Sequence, residues 1–127
     1  MAKTGQKLTD KYGTTIRGRA VKLSCAAKQR AKRLGSQFTI DTEWVEGRLM
    51  TGHCEVTGLP FTMEPDKSGR ASPLSPSLDR IDSSRGYTRD NVQVVVWIYN
   101  NAKSHWGVGA LHTLARALVQ QIGEKDV

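Results

Sequence analysis

The chain has 127 residues, 38% of them hydrophobic, two cysteines and a formal net charge of +7. That length fits one modest hydrophobic core, and two cysteines outside any Cys-x-x-Cys pair exclude a disulfide framework. The first dozen residues have no apolar signal core and Val92–Tyr99, the most apolar stretch, is too short to cross a bilayer; we expect a soluble cytoplasmic protein with no membrane partner.

The charge is lopsided. Residues 1–35 hold ten Lys/Arg against Asp10, while the rest holds nine against eleven Asp/Glu. A polyanion partner would use that excess, because each cation that neutralises a phosphate releases a counterion; a solvated basic face would explain it equally well.

Residues 1–14 are polar and aperiodic, and are expected to be a flexible basic arm, leaving 15–127 as a single domain. From Thr15 to Leu34, Ile16, Ala20, Leu23, Ala27 and Ala31 recur every three or four residues, which predicts an amphipathic helix closed by Gly35. Its polar face carries Arg17, Arg19, Lys22 and Arg30, the candidate nucleic-acid contacts. Phe38–Ile40 reads as a brief extended segment. Asp41 or Thr42 caps a second helix to Met50, with Trp44, Val45, Leu49 and Met50 toward the core.

Cys54–Phe61 reads as a strand entering a tight turn, and 62–76, rich in Pro, Ser and Gly, as a surface loop. Leu78–Asp82 is a candidate strand, followed by a loop containing Gly86. For Asn91–Val95 periodicity does not separate strand from helix; we place a strand at Val92–Val94 and a helix from about Val95 to Lys103. Ala110–Ile122 is a last amphipathic helix with Leu111, Leu114, Ala115, Leu118 and Ile122 on one face. Both cysteines read as small buried hydrophobes.

The order Leu-Asp-Arg-Ile-Asp (78–82), Gly-Tyr (86–87), Asp-Asn-Val (90–92) and Asn-Asn-x-Lys (100–103) resembles the ββα-metal core of HNH endonucleases, phage-type members above all. The resemblance is strong over about residues 54–103 and extends to 15–53 in general character. It implies an α+β fold: a ββα-metal core with a basic N-terminal helix, a second helix and a C-terminal helix. Asp79-Arg80-Ile81 stands where the family has Asp-His-Ile, Asn91 opens the second strand, and Asn100 with Lys103 occupies the helix. Cys54–Phe61 is similar to the knuckle that precedes the core, but only Cys54 of four zinc-ribbon positions (54, 57, 96 and 99) is a cysteine, so no structural zinc is expected and apolar packing must fasten the knuckle.

Phosphodiester cleavage needs a nucleophilic water, a cation on the phosphate and help for the leaving oxygen. Asp79 and Asn100 are hard oxygen donors suited to one Mg²⁺ or Mn²⁺. Arg80 stays protonated and cannot serve as the base, but it can clamp a phosphate oxygen. Asp82 is a candidate base only if the strand bends, since Asp79 and Asp82 fall on opposite faces of a regular strand; an Arg80–Asp82 ion pair is the plain alternative. His53, His105 and His112 are the other candidates. Asn91 supports the loop, by analogy with the family, or simply closes a turn. Tyr87 and the three tryptophans, Trp44, Trp97 and Trp106, read as packing residues, and Lys103 as a contact to the DNA backbone.

The resemblance thus implies a metal-dependent endonuclease that nicks or cuts duplex DNA, phage or mobile-element encoded, working beside terminase and packaging proteins or in homing. A DNA-binding module with the same scaffold and no hydrolytic step is the rival reading, and a structured-RNA binder a third.

Overall fold

The computed structural model describes residues 13–123; the arm expected at 1–14 lies almost wholly outside them. Among the described residues, four helices and one two-stranded sheet follow in order: α1 (Ile16–Leu34), α2 (Thr42–Leu49), β1 (Pro76–Arg80), β2 (Val92–Val96), α3 (Trp97–Lys103) and α4 (Val108–Ile122). No helix among the described residues is long and apolar enough to cross a membrane.

Helix α1 starts where Thr15 Oγ1 accepts from the Gly18 amide, and it stops at Gly35, whose φ of 66° suits a residue without Cβ. Its small residues Ala20, Ser24, Ala27 and Ala31 are buried, so the basic helix approaches its neighbours closely. Helix α2 is capped by Asp41, which accepts from the Trp44 amide, and it buries Val45 and Leu49. Met50, expected in the core, is the C-terminal cap and is exposed. Arg17 joins the two helices through Glu43 and Glu46 at 3.0 and 3.1 Å.

The sheet is antiparallel, with Leu78 opposite Val94 and Asp79 opposite Gln93. Val94, Val95 and Val96 are all fully buried. Each buried valine contributes roughly 1.5–3 kcal/mol relative to an exposed one. Because successive strand residues face opposite ways, burial of all three means that both faces are covered. Val94 joins the cluster of Ala20, Ala27, Ala31, Ile40, Val45, Leu49, Tyr87 and Val92. Val95 and Val96 join Cys54, with Phe61, Leu74 and Tyr99 against them.

That second cluster gathers Cys54, Val96 and Tyr99, three of the four positions at which a zinc ribbon would place thiolates. Apolar packing fastens the knuckle there. Burial acts to raise the Cys54 thiol, but hydrogen bonds from Thr57 and neighbouring amides outweigh it and leave the group below its ordinary value. The knuckle is a turn with one bridge, His53 to Pro60, and not the expected strand. Glu55 instead caps the outer edge of β2: its amide donates to Val94 O at 2.9 Å, and its Oε1 accepts from the Val94 amide at 2.8 Å.

Strand β1 begins two residues earlier than expected and ends at Arg80, because Asn91 Oδ1 captures the Asp82 amide. Strand β2 runs two residues further, to Val96. Helix α3 then starts against the preceding loop, the Trp97 and Ile98 amides donating to Ser75 O and Pro73 O. Cys25, Trp97 and Trp106, all expected to pack inside, are exposed. Helix α4 forms as expected but buries none of its residues.

Candidate functional site

Asn91 organises the loop between the strands. It is 1% exposed; Oδ1 accepts from the Asp82 amide at 2.9 Å, and Nδ2 donates to Asp82 O at 3.1 Å and Gly86 O at 2.9 Å. Its main chain adds two more bonds, Ile81 amide to Asn91 O and Asn91 amide to Thr88 O. One side chain thereby holds both ends of residues 82–86. The same loop is seated on residues 37–39 by Tyr87 amide to Gln37 O and Thr39 amide to Tyr87 O.

A cleft of about 450 Å³ opens between α1 and the β1–α3 unit. Leu23, Ala26, Ala27 and Arg30 line it from α1, Ser77 to Arg80 from β1, and Trp97, Asn100 and Asn101 from α3. Ser83, Tyr87, Ser104 and His105 complete it. Asp79, Arg80 and Asn100, which stand 21 residues or fewer apart in sequence, thus share one cavity with Arg30 from the basic helix.

Asp79 is 4% exposed, and both of its carboxylate oxygens have hydrogen-bond partners. Lys103 Nζ lies 3.0 Å from its Oδ1 and 2.9 Å from its Oδ2, and also donates to Arg80 O at 2.9 Å and Ile81 O at 3.4 Å. Gln93, directly across the ladder, donates to Oδ2 at 2.8 Å. Lys103 itself is 5% exposed, so the expected contact from its ammonium to a DNA backbone is not available in this arrangement. Asn100 turns its Nδ2 toward Ser77 Oγ and Leu78 O, at 2.8 and 3.0 Å.

The divalent ion implied for Asp79 and Asn100 meets an obstacle here. Both residues line the cleft and both carry hard oxygen donors, but each Asp79 oxygen already accepts from an ammonium. Among the described residues no three His, Cys, Asp or Glu side chains gather to make up the difference. With Lys103 in place, the donor set does not fit a divalent ion.

Arg80 donates to Arg85 O at 3.1 Å and lies 5.3 Å from the centre of the Tyr87 ring, which holds a permanent cation at the cleft wall. It makes no ion pair with Asp82. Asp82 is exposed and turned to Ser84, whose hydroxyl donates at 2.6 Å and amide at 2.9 Å; these bonds hold its carboxyl below the usual range. A carboxylate so stabilised is a weak base, and Asp82 does not line the cleft.

Of the histidines, His53 is exposed with Nδ1 2.9 Å from Thr51 O, and His112 lies on α4. His105 lines the cleft. It follows Ser104, the one described non-glycine residue with positive φ, 46°, which turns the chain at the end of α3. Among the expected nucleic-acid contacts, Arg17 is committed to two glutamates, and Arg19 donates to Gly13 O and Met63 O. Lys22 and Arg30 are exposed on α1. Gln93 was missed by sequence reasoning. As the one polar residue in Val-Gln-Val-Val-Val, it faces the strand carrying Asp79, and that pattern was its signal.

No family model matches the chain and no curated protein matches it. A solved structure does: the rare-cutting HNH restriction endonuclease PacI, described for its perturbation of DNA, is 20% identical, with 81% of this chain and 78% of that chain covered and a TM-score of 0.58. At that identity the likeness speaks for architecture. The chain shares its fold with an HNH restriction endonuclease.

Proposed function

We propose that the chain is an HNH-type DNA endonuclease, with the cleft between α1 and β1–α3 as the place where a phosphodiester is held and hydrolysed. The observation that carries this reading is the convergence of Arg30, Arg80, Asp79, Asn100 and His105 on one cavity, in a fold shared with an HNH restriction endonuclease. Arg80 neutralises charge that builds on the phosphate. Arg30 and Lys22 hold the neighbouring backbone. His105 is the candidate base, since an imidazole ring nitrogen can accept a proton and a guanidinium has no acceptor. Asn91 acts through the loop, keeping Arg80 and Tyr87 in register.

The test is incubation of supercoiled plasmid with the protein at millimolar Mg²⁺ or Mn²⁺, or with chelator, beside folded Asp79→Ala and Arg80→Ala variants. Nicking or linearisation by the wild type alone is the expected result. Cutting by Asp79→Ala would remove that carboxylate from the reaction.

One observation favours a second reading, a binding module without hydrolysis: Lys103 cancels the Asp79 charge. The same assay separates the two. Plasmid retarded in a gel but never cut, under every metal condition, would favour the module.

A further inference from the structure

The oxygens around Lys103 Nζ form a cage of a kind that hard cations use. Two belong to the Asp79 carboxylate and two are main-chain carbonyls of Arg80 and Ile81, all between 2.9 and 3.4 Å from the nitrogen. Carboxylate and carbonyl oxygens are the donors that Mg²⁺ and Mn²⁺ take. Gln93 contributes a further donor to the same carboxylate at 2.8 Å, so Asp79 has no oxygen left without a proton pointed at it. Both charges of the pair are nearly inaccessible to water, at 6% and 5% side-chain exposure, so screening between the ammonium and any second cation would be weak.

We propose that Lys103 is the resident cation of this cage, and that its ammonium and a divalent ion are mutually exclusive occupants of Asp79, with Lys103 in possession in the free protein. The conflict between the donor set and a divalent ion is then a property of one removable side chain. Deleting the ammonium leaves a buried carboxylate beside two carbonyls and makes a cation site from residues already in position. The proposal concerns the same carboxylate as the endonuclease reading, but its measurements are of binding, so each can fail while the other stands.

The experiment is titration of the DNA-free full chain with Mn²⁺, following free Mn²⁺ by electron paramagnetic resonance, for wild type, Lys103→Ala, Lys103→Met and the double variant Lys103→Ala with Asp79→Asn. The Lys103 variants are expected to bind Mn²⁺ about tenfold or more tightly than wild type, a difference of about 1.4 kcal/mol or more, and the double variant to lose the gain. Mn²⁺ is also expected to raise the melting temperature of Lys103→Ala and not that of wild type. Folded Lys103 variants with no gain would overturn the proposal. A measurement on unaltered protein guards against variants that do not fold: amide NMR signals of Asp79, Arg80 and Gln93 should survive substoichiometric Mn²⁺ in wild type. Their selective broadening would show that the ion takes Asp79 with Lys103 present, and would overturn the proposal equally.

Discussion

Replacing Asn91 by alanine tests whether one amide holds the loop that carries the cleft wall. The substitution removes three side-chain hydrogen bonds, to the Asp82 amide, Asp82 O and Gly86 O, at a residue 1% exposed. At about 1 kcal/mol net per bond, with the buried Gly86 carbonyl left unpaired, the loss is about 3 kcal/mol. For a chain of this size, with a urea m-value of about 2 kcal/mol/M, the unfolding midpoint should fall by about 1.5 M. Urea titration followed by tryptophan fluorescence and circular dichroism reads this directly, with coincidence of the two probes testing for a single transition. Asn91→Asp should be worse than alanine: it keeps the acceptor for the Asp82 amide but sets a second carboxylate oxygen against two carbonyls. A midpoint shift for alanine below about 0.5 M, or an aspartate variant milder than alanine, would refute the pinning argument.

Gly86→Ala should destabilise by about 2 kcal/mol in the same titration, because its Cβ would stand 2.4 Å from Gln37 O and 2.7 Å from Gln37 N, both backbone atoms. Glu55→Ala strips the Val94 amide and Arg48 of their acceptor and should cost about 1–3 kcal/mol by denaturation. In duplex DNA binding, Arg30→Ala should reduce the slope of log K against log salt by about 0.9, whereas Arg17→Ala, whose charge is already matched by two glutamates, should leave it nearly unchanged. If the cleft cuts DNA, His105→Ala should slow cleavage by about 10²-fold or more, with partial recovery in added imidazole; an unchanged rate would return the base to the unknowns.

Local rules made the helices readable in the sequence. Thr15, Asp41 and Gly35 cap as their types dictate, and the small-residue stripe of α1 is buried as its spacing implies. The strands were harder. Val95 and Val96 look the same in a buried helix and in a strand covered on both faces, and only the Cys54 cluster that they join, with the α2 residues Val45 and Leu49 clustered around neighbouring Val94, decides between them. In the cleft, Asp79, Arg80 and Asn100 were legible from their order, as were the supporting Asn91 and the basic helix that supplies Arg30. The state of Asp79 was not. It depends on a lysine 24 residues away folding inward, and Lys103 on a helix end reads as a surface cation until the strand carbonyls it caps are in view. Met50, Trp97 and Trp106 were misplaced for a related reason: hydrophobic character gives a tendency to be inside, and element ends decide whether there is an inside to reach; Cys25, in mid-helix, is off the buried stripe of Ala20, Ser24, Ala27 and Ala31.

The Glu55 clasp on β2 bears on how this chain behaves in crowded solution. A sheet of two strands has little to hide its rim, and Val92–Val96 is a β-prone run with no charge and no proline, the composition that recruits further strands from other molecules. By filling the hydrogen-bonding positions of Val94 with its own amide and carboxylate, Glu55 occupies the place at which a foreign strand would add. Loss of this residue should therefore show first as visible precipitation on storage, ahead of any change in what the folded molecule binds.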